Sequence, residues 1–146
     1  MNTKVTLSAK ETKKLAADLL TFLEGRNLLC LYGDLGSGKT TFSQGIGEAL
    51  GIQKRMISPT FVILRKYEVQ SMKNKNIANL FHVDLYRIGF PDEIIDVGIL
   101  DFIRNPENLV IIEWAEKMGE YLPEKRIDVR FEYVDEEKRK ISIIQV

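Results

Sequence analysis

Gly33-Asp34-Leu35-Gly36-Ser37-Gly38-Lys39-Thr40 satisfies the pattern G-x-x-x-x-G-K-[ST] in full. Its flanks supply the context that the pattern needs. Leu28-Leu29-Cys30-Leu31-Tyr32 upstream is an apolar run expected to form a buried strand. Thr41 to Leu50 downstream is expected to form a helix, with Gly51 as its stop. Strand, glycine loop and helix in that order predict a phosphate cradle. Gly33, Gly36 and Gly38 let the backbone take positive φ and approach a polyphosphate closely. The helix that follows turns the favourable end of its dipole towards the anion. Lys39 is expected to bridge β- and γ-phosphates as a point charge, and Thr40 to give its hydroxyl to Mg²⁺. The expected nucleotide-binding stretch is thus Asp34, Leu35, Gly36, Ser37, Gly38, Lys39, Thr40 and Thr41, with ATP and Mg²⁺ as the ligands. Asp34 could orient water or the metal, but a loop-shaping or solvated role is expected for it.

Bulk properties narrow the class. A chain of 146 residues with 45% apolar and 29% charged residues can bury a proper core as one domain, residues 1–146. The 21 basic and 21 acidic residues cancel, which argues against a strong nonspecific grip on nucleic acid or anionic lipid. A single cysteine, Cys30, excludes an internal disulfide, and one Cys with one His cannot build a structural zinc site. The first residues lack an apolar signal core and no run approaches membrane-spanning length, so a cytoplasmic protein with no membrane partner is expected.

Along the chain, Val5 and Leu7 suggest a short first strand. Ser8-Ala9-Lys10-Glu11 is a capping box opening a helix whose apolar face is Leu15, Leu19, Phe22 and Leu23, with Gly25 as its end. Residues 62–68 and 77–86 read as an antiparallel hairpin around polar residues 70–76. Pro91-Asp92-Glu93 begins a short helix. Leu109-Val110-Ile111-Ile112 is apolar throughout, as in a central strand covered on both faces. Residues 114–122 suggest a helix plus a turn ended by Pro123. Ile127, Val129, Phe131 and Tyr133 alternate, as do Ile141 and Ile143, around a hairpin tip at Asp135-Glu136-Glu137-Lys138. The expected fold is α/β: a P-loop NTPase-like three-layer domain with a mixed central sheet and antiparallel additions.

Ligands in such sheets bind beyond the carboxyl ends of the strands. Glu113, which ends the apolar run, is therefore the favoured Mg²⁺-side acid, acting directly or through water. Asp84, in His82-Val83-Asp84-Leu85-Tyr86-Arg87, is the candidate for orienting or activating the attacking water; the plainer alternative is an ion pair with Arg87 or a lysine. The catalytic set is thus Lys39, Asp84 and Glu113. Ser58-Pro59-Thr60-Phe61 sets two hydroxyls around a fixed φ and suits either a γ-phosphate-sensing switch or an ordinary loop. His82 suits a base less well than a hydrogen-bonded structural role. Trp114 suits core packing. Lys54-Arg55 and Lys138-Arg139-Lys140 suit solvated faces, though either could dock a partner or RNA.

G-D-L-G-S-G-K-T, S-P-T-F, H-V-D-L-Y-R and I-I-E-W-A-E-K, in that order and spacing, resemble the TsaE (YjeE) family, small bacterial P-loop ATPases needed for threonylcarbamoyladenosine modification of tRNA. The resemblance runs from Ser8 to the final hairpin. It implies Lys39 and Thr40 as the phosphate and metal pair, Glu113 as the Mg²⁺ acid, Asp84 as the other functional acid and Ser58 to Phe61 as a switch. It places Thr12 and Arg139 near the nucleotide. Ser37 replaces the family's usual alanine, and Ala115 its usual proline; neither change removes a named chemical group. The implied partners are TsaB and TsaD homologues, with tRNA touched indirectly or weakly. The implied activity is Mg²⁺-dependent ATP hydrolysis, weak alone and partner-activated, and not the threonylcarbamoyl transfer itself. A stand-alone small-molecule kinase is the main alternative; against it, the chain has no long arginine-rich insertion. No N-K-x-D guanine-reading motif is present, which disfavours a GTPase.

Overall fold

The computed structural model describes residues 2–56, 63–70 and 76–146. Seven strands form one mixed sheet: β1 (Asn2–Thr6), β2 (Leu28–Tyr32), β3 (Leu64–Glu68), β4 (Asn79–Asp84), β5 (Asn108–Glu113), β6 (Ile127–Tyr133) and β7 (Arg139–Gln145). Their order is β1-β7-β6-β2-β5-β4-β3. β6, β2, β5 and β4 run parallel in the middle. The β1–β7, β7–β6 and β3–β4 contacts are antiparallel. The expected mixed sheet with antiparallel additions is what forms.

Two apolar layers clothe the sheet, and strand alternation sorts them. Leu29, Leu31, Leu80, Leu109 and Ile111 point to α1 (Ala9–Leu19) and α2 (Lys39–Ala49), joining Leu15, Leu19, Phe42 and Ile46. Leu28, Cys30, Phe81, Val83, Val110 and Ile112 point the other way, to Ile94 in α3 (Glu93–Val97) and Ile99 in α4 (Ile99–Arg104). Both faces of β5 are buried along its whole length, as its unbroken apolar run predicts.

The capping box opens α1: Ser8 Oγ accepts from the Glu11 amide at 3.2 Å, and Glu11 Oε2 accepts from the Leu7 amide at 2.7 Å. Two expectations fail in detail. The helical face was to continue through Phe22, but α1 gives way to a 3₁₀ turn over Leu20–Phe22. The tighter winding turns Leu20 inward and leaves Phe22 60% exposed. The second correction concerns residues 114–122: Ala115–Tyr121 is 3₁₀ helix interrupted at Gly119, where φ is 54° and ψ −128°. Ser58-Pro59-Thr60-Phe61 and the tip of the β3–β4 hairpin, 71–75, lie outside the described residues.

Candidate functional site

The glycine loop leaves the carboxyl end of β2, with β5 on one side and β6 on the other. Chain connections diverge there, where an open α/β sheet leaves a crevice. Gly36 and Gly38 adopt φ of 76° and 109°. A Cβ on Gly33 would lie 2.9 Å from the Phe131 carbonyl oxygen, so a side chain there would press the loop off β6. No side chain among the described residues caps α2, which begins at Lys39 immediately after the loop.

Lys39 folds back into the loop. Its ammonium donates to the Gly33 carbonyl at 2.5 Å and the Asp34 carbonyl at 2.8 Å, and lies 4.6 Å from the centre of the Trp114 ring. Burial lowers its pKa below the usual lysine range; the negative charges of Glu113, Glu116, Asp84 and Asp34 oppose that shift.

The acids converge on the same place. Alternation along β4 and β5 sets His82, Asp84 and Glu113 on the α2 side of the sheet, and Asp84 is the register partner of Glu113. Glu113 Oε1 accepts a hydrogen bond from Thr40 Oγ1 at 3.3 Å. Its other oxygen, Oε2, lies 2.5 Å from His82 Nε2. Asp84 Oδ1 accepts from the Tyr86 amide at 2.9 Å. All three side chains are buried. Directly after Glu113 the backbone of Trp114 is left-handed, at φ 60° and ψ 43°. A non-glycine residue in that region stores strain, and such strain clusters at functional sites. This turn sends the indole back over Lys39.

On the other flank of the loop, a cavity of about 300 Å³ is lined by Thr12, Gly38, Thr41 and Arg139, with Ser8, Ala9, Glu136 and Glu137. The Thr12 hydroxyl is bonded to Thr6 Oγ1 at 2.7 Å. Arg139 donates from Nη2 to the Gly36 carbonyl at 3.1 Å, and its guanidinium stacks 5.0 Å from the Tyr133 ring centre. Wider hollows of about 440 and 650 Å³ open along α1, α2 and β3, but neither is lined by the glycine loop.

The family described as "Threonylcarbamoyl adenosine biosynthesis protein TsaE" matches residues 6–141. The chain belongs to the TsaE family. It is 34% identical over 141 residues to the tRNA threonylcarbamoyladenosine biosynthesis protein TsaE of Bacillus subtilis, covering 97% of this chain and 84% of that one. To the protein of the same name from Rickettsia felis it is 38% identical over 136 residues, 92% of this chain and 75% of that one. The crystal structure of Bacillus subtilis YdiB superposes with a TM-score of 0.70 at 29% identity, over 99% of this chain and 85% of that one.

In this member of the TsaE family, the structure brings Lys39, Thr40, Asp84 and Glu113 to one side of the loop, and Thr12, Thr41 and Arg139 to the other. Asp34 and Leu35 are exposed at the loop tip. Asp34 shapes the loop through its carbonyl, which accepts from Lys39 and from the Ser37 amide at 3.1 Å. Among the described residues no cluster of three or more His, Cys, Asp or Glu could hold a metal ion. A hydroxyl beside one carboxylate nevertheless fits Mg²⁺, a hard cation that keeps several waters and takes further oxygens from phosphates. No helix among the described residues is long and apolar enough to cross a membrane. Two contacts escaped sequence reasoning: His82 on Glu113, and Trp114 over Lys39. The alternation His82-x-Asp84 signalled a shared face, but only the register of β4 on β5 shows which acid the imidazole meets.

Proposed function

We propose that this chain binds and hydrolyses ATP with Mg²⁺ as an accessory protein of tRNA threonylcarbamoyladenosine biosynthesis. It acts with TsaB and TsaD homologues and is not itself the transferase. The observation that carries this reading is the Thr40–Glu113 contact at 3.3 Å, set beside a glycine loop whose lysine is buried. The names of its relatives point to the same pathway.

Lys39 carries three donors, two of them committed to loop carbonyls that phosphate oxygens can replace. The amides opening α2 hold the phosphate chain, and Thr40 and Glu113 hold Mg²⁺. When bound, Mg²⁺ neutralises charge on the phosphate oxygens. Asp84 orients the attacking water and takes up its proton. Water oxygen bonds to the γ-phosphorus, the bond from that phosphorus to the bridging oxygen breaks, and ADP and phosphate leave. Thr12, Thr41 and Arg139 line the nucleoside side. Arg139 is turned onto the loop backbone and bonds to the carbonyls of Gly36, Lys138 and Asp135. A partner that adds a cation to the transferring phosphoryl group would complete the site, which makes hydrolysis slow in isolation.

The test measures ATP binding and phosphate release with and without Mg²⁺ and with TsaB and TsaD homologues added singly and together. The expected result is metal-dependent release that rises when both partners are present. Absence of nucleotide binding, or phosphoryl transfer to a sugar or nucleoside outpacing transfer to water, refutes the proposal.

A further inference from the structure

We propose that His82 is a positioning residue that holds Glu113 in its metal-facing conformation; this rests on the assignment of Thr40 and Glu113 as the Mg²⁺ donors. An ionised carboxylate only accepts hydrogen bonds, so His82 Nε2 is the donor in the 2.5 Å contact with Oε2. That fixes one oxygen of a side chain with several free torsions. The other oxygen is left aimed at Thr40 Oγ1, 3.3 Å away.

The rest of the imidazole gains nothing from its site. His82 is wholly buried, and Nδ1 has no hydrogen-bond partner among the described residues. Its neighbours on the same sheet face are the core residues Leu80 and Ile111, with Asp84 two residues along β4 and Arg65 opposite it on β3. An aliphatic side chain would bring no costly unpartnered nitrogen into this position, but it would leave Glu113 Oε2 without its imidazole donor. The contact with Glu113 is what an imidazole offers here that an aliphatic residue does not. Groups behind a metal ligand orient it in this way.

Mn²⁺ serves as the probe, with its affinity for the protein–ADP complex read by electron paramagnetic resonance. His82→Leu keeps most of the volume and removes the donor; His82→Gln keeps an N–H donor. The expected result is a loss in Mn²⁺ affinity of about 10-fold or more for His82→Leu, with substantial recovery in His82→Gln. ADP affinity in the presence of a chelator stays at the wild-type value in both. In a Glu113→Ala background, His82→Leu costs nothing further. Wild-type Mn²⁺ affinity in His82→Leu overturns the proposal, as does a loss that persists without Glu113 or a parallel fall in metal-free ADP affinity. His82→Phe repeats the test if the leucine variant does not fold. If the wild-type ADP complex itself binds no Mn²⁺, the metal assignment fails first and this inference with it.

Discussion

Gly45→Ala tests whether the spacing of α1 and α2 is set by a close backbone approach. A Cβ at Gly45 would lie 2.7 Å from Lys13 Cα and 2.8 Å from the Lys13 carbonyl oxygen. Carbon atoms pack at about 3.5–4.0 Å, so α1 would have to retreat by roughly 1 Å. Overpacking of this kind costs about 1–3 kcal/mol. Alanine returns about 1 kcal/mol through its higher helix propensity, leaving a net loss of up to about 2 kcal/mol. For a 146-residue chain the unfolding entropy is about 0.3 kcal/mol/K, which converts that loss into a fall in Tm of up to about 6 °C. Gly47→Ala is the control on the same helix. Its Cβ would meet the Met56 side chain, which can swing aside, and not a backbone. Scanning calorimetry of the pair separates the two terms, because propensity acts equally in both. The forced widening also moves the Ser8–Thr12 wall of the cavity away from the loop. ADP affinity should therefore fall more than pyrophosphate affinity. If Gly45→Ala is as stable as Gly47→Ala, the two helices are not in backbone contact and the reasoning fails.

Lys39→Ala removes the charge from the cradle and should weaken ATP binding about 10- to 100-fold by calorimetric titration; unchanged affinity counts against the assignment. Glu113→Ala should keep metal-free nucleotide binding while losing the gain from Mg²⁺ and the release of phosphate. If tRNA modification survives in that variant, nucleotide binding suffices and hydrolysis is dispensable. Burial pushes the Cys30 thiol up to about 12, with Asp128 adding to the shift and Arg126 opposing it. The native protein should therefore resist an aromatic disulfide reagent at pH 8, and unfolding should release one reactive thiol; fast labelling of folded protein would show the β2 core to be open. Trp114 is the chain's one tryptophan and lies 4.6 Å from the Lys39 ammonium. Its fluorescence should respond to pyrophosphate, which recruits the lysine, and not to adenosine. An equal response to both would uncouple the indole from the loop.

The legibility of this chain follows the range of the interactions involved. The loop, the capping box and the apolar run of β5 are local patterns, and each forms the element it predicts. Phe22 shows where local reasoning stops. It fits the helical stripe of α1, yet the winding changes to 3₁₀ over Leu20–Phe22, which the stripe does not signal. The 3₁₀ segment after Trp114 is a similar case. It follows the left-handed backbone of Trp114, and only Gly119, where the winding breaks, marks the irregularity in the sequence. In the site, the loop pattern and the end of the β5 run singled out Lys39, Thr40 and Glu113, and the structure brings their side chains together. The His82 contact depends on strand register, a tertiary fact. The Asp84 amide contact is local, two residues along, but its direction is fixed only once β4 has ended.

Strand polarity explains why residues so far apart in the chain share one rim. β4 and β5 run parallel to β2, so their carboxyl ends place Asp84 and Glu113 level with the loop. β6 is also parallel to β2, and antiparallel β7 must then start where β6 finishes, which puts Arg139 on that same rim. β1 is antiparallel to β7 and so ends there too, with Thr6 paired to Arg139. Only Leu7 and Ser8 separate Thr6 from α1, so the first turn of that helix, with Thr12, has no other place to stand. The same rim therefore receives acids from one half of the sheet and the Thr12–Arg139 wall from the other. The glycine loop lies between them because β2 is the strand from which the two halves diverge. Reversing any one of β1, β5 or β7 would carry its residue to the opposite end of the sheet, about 15–20 Å away for strands of this length.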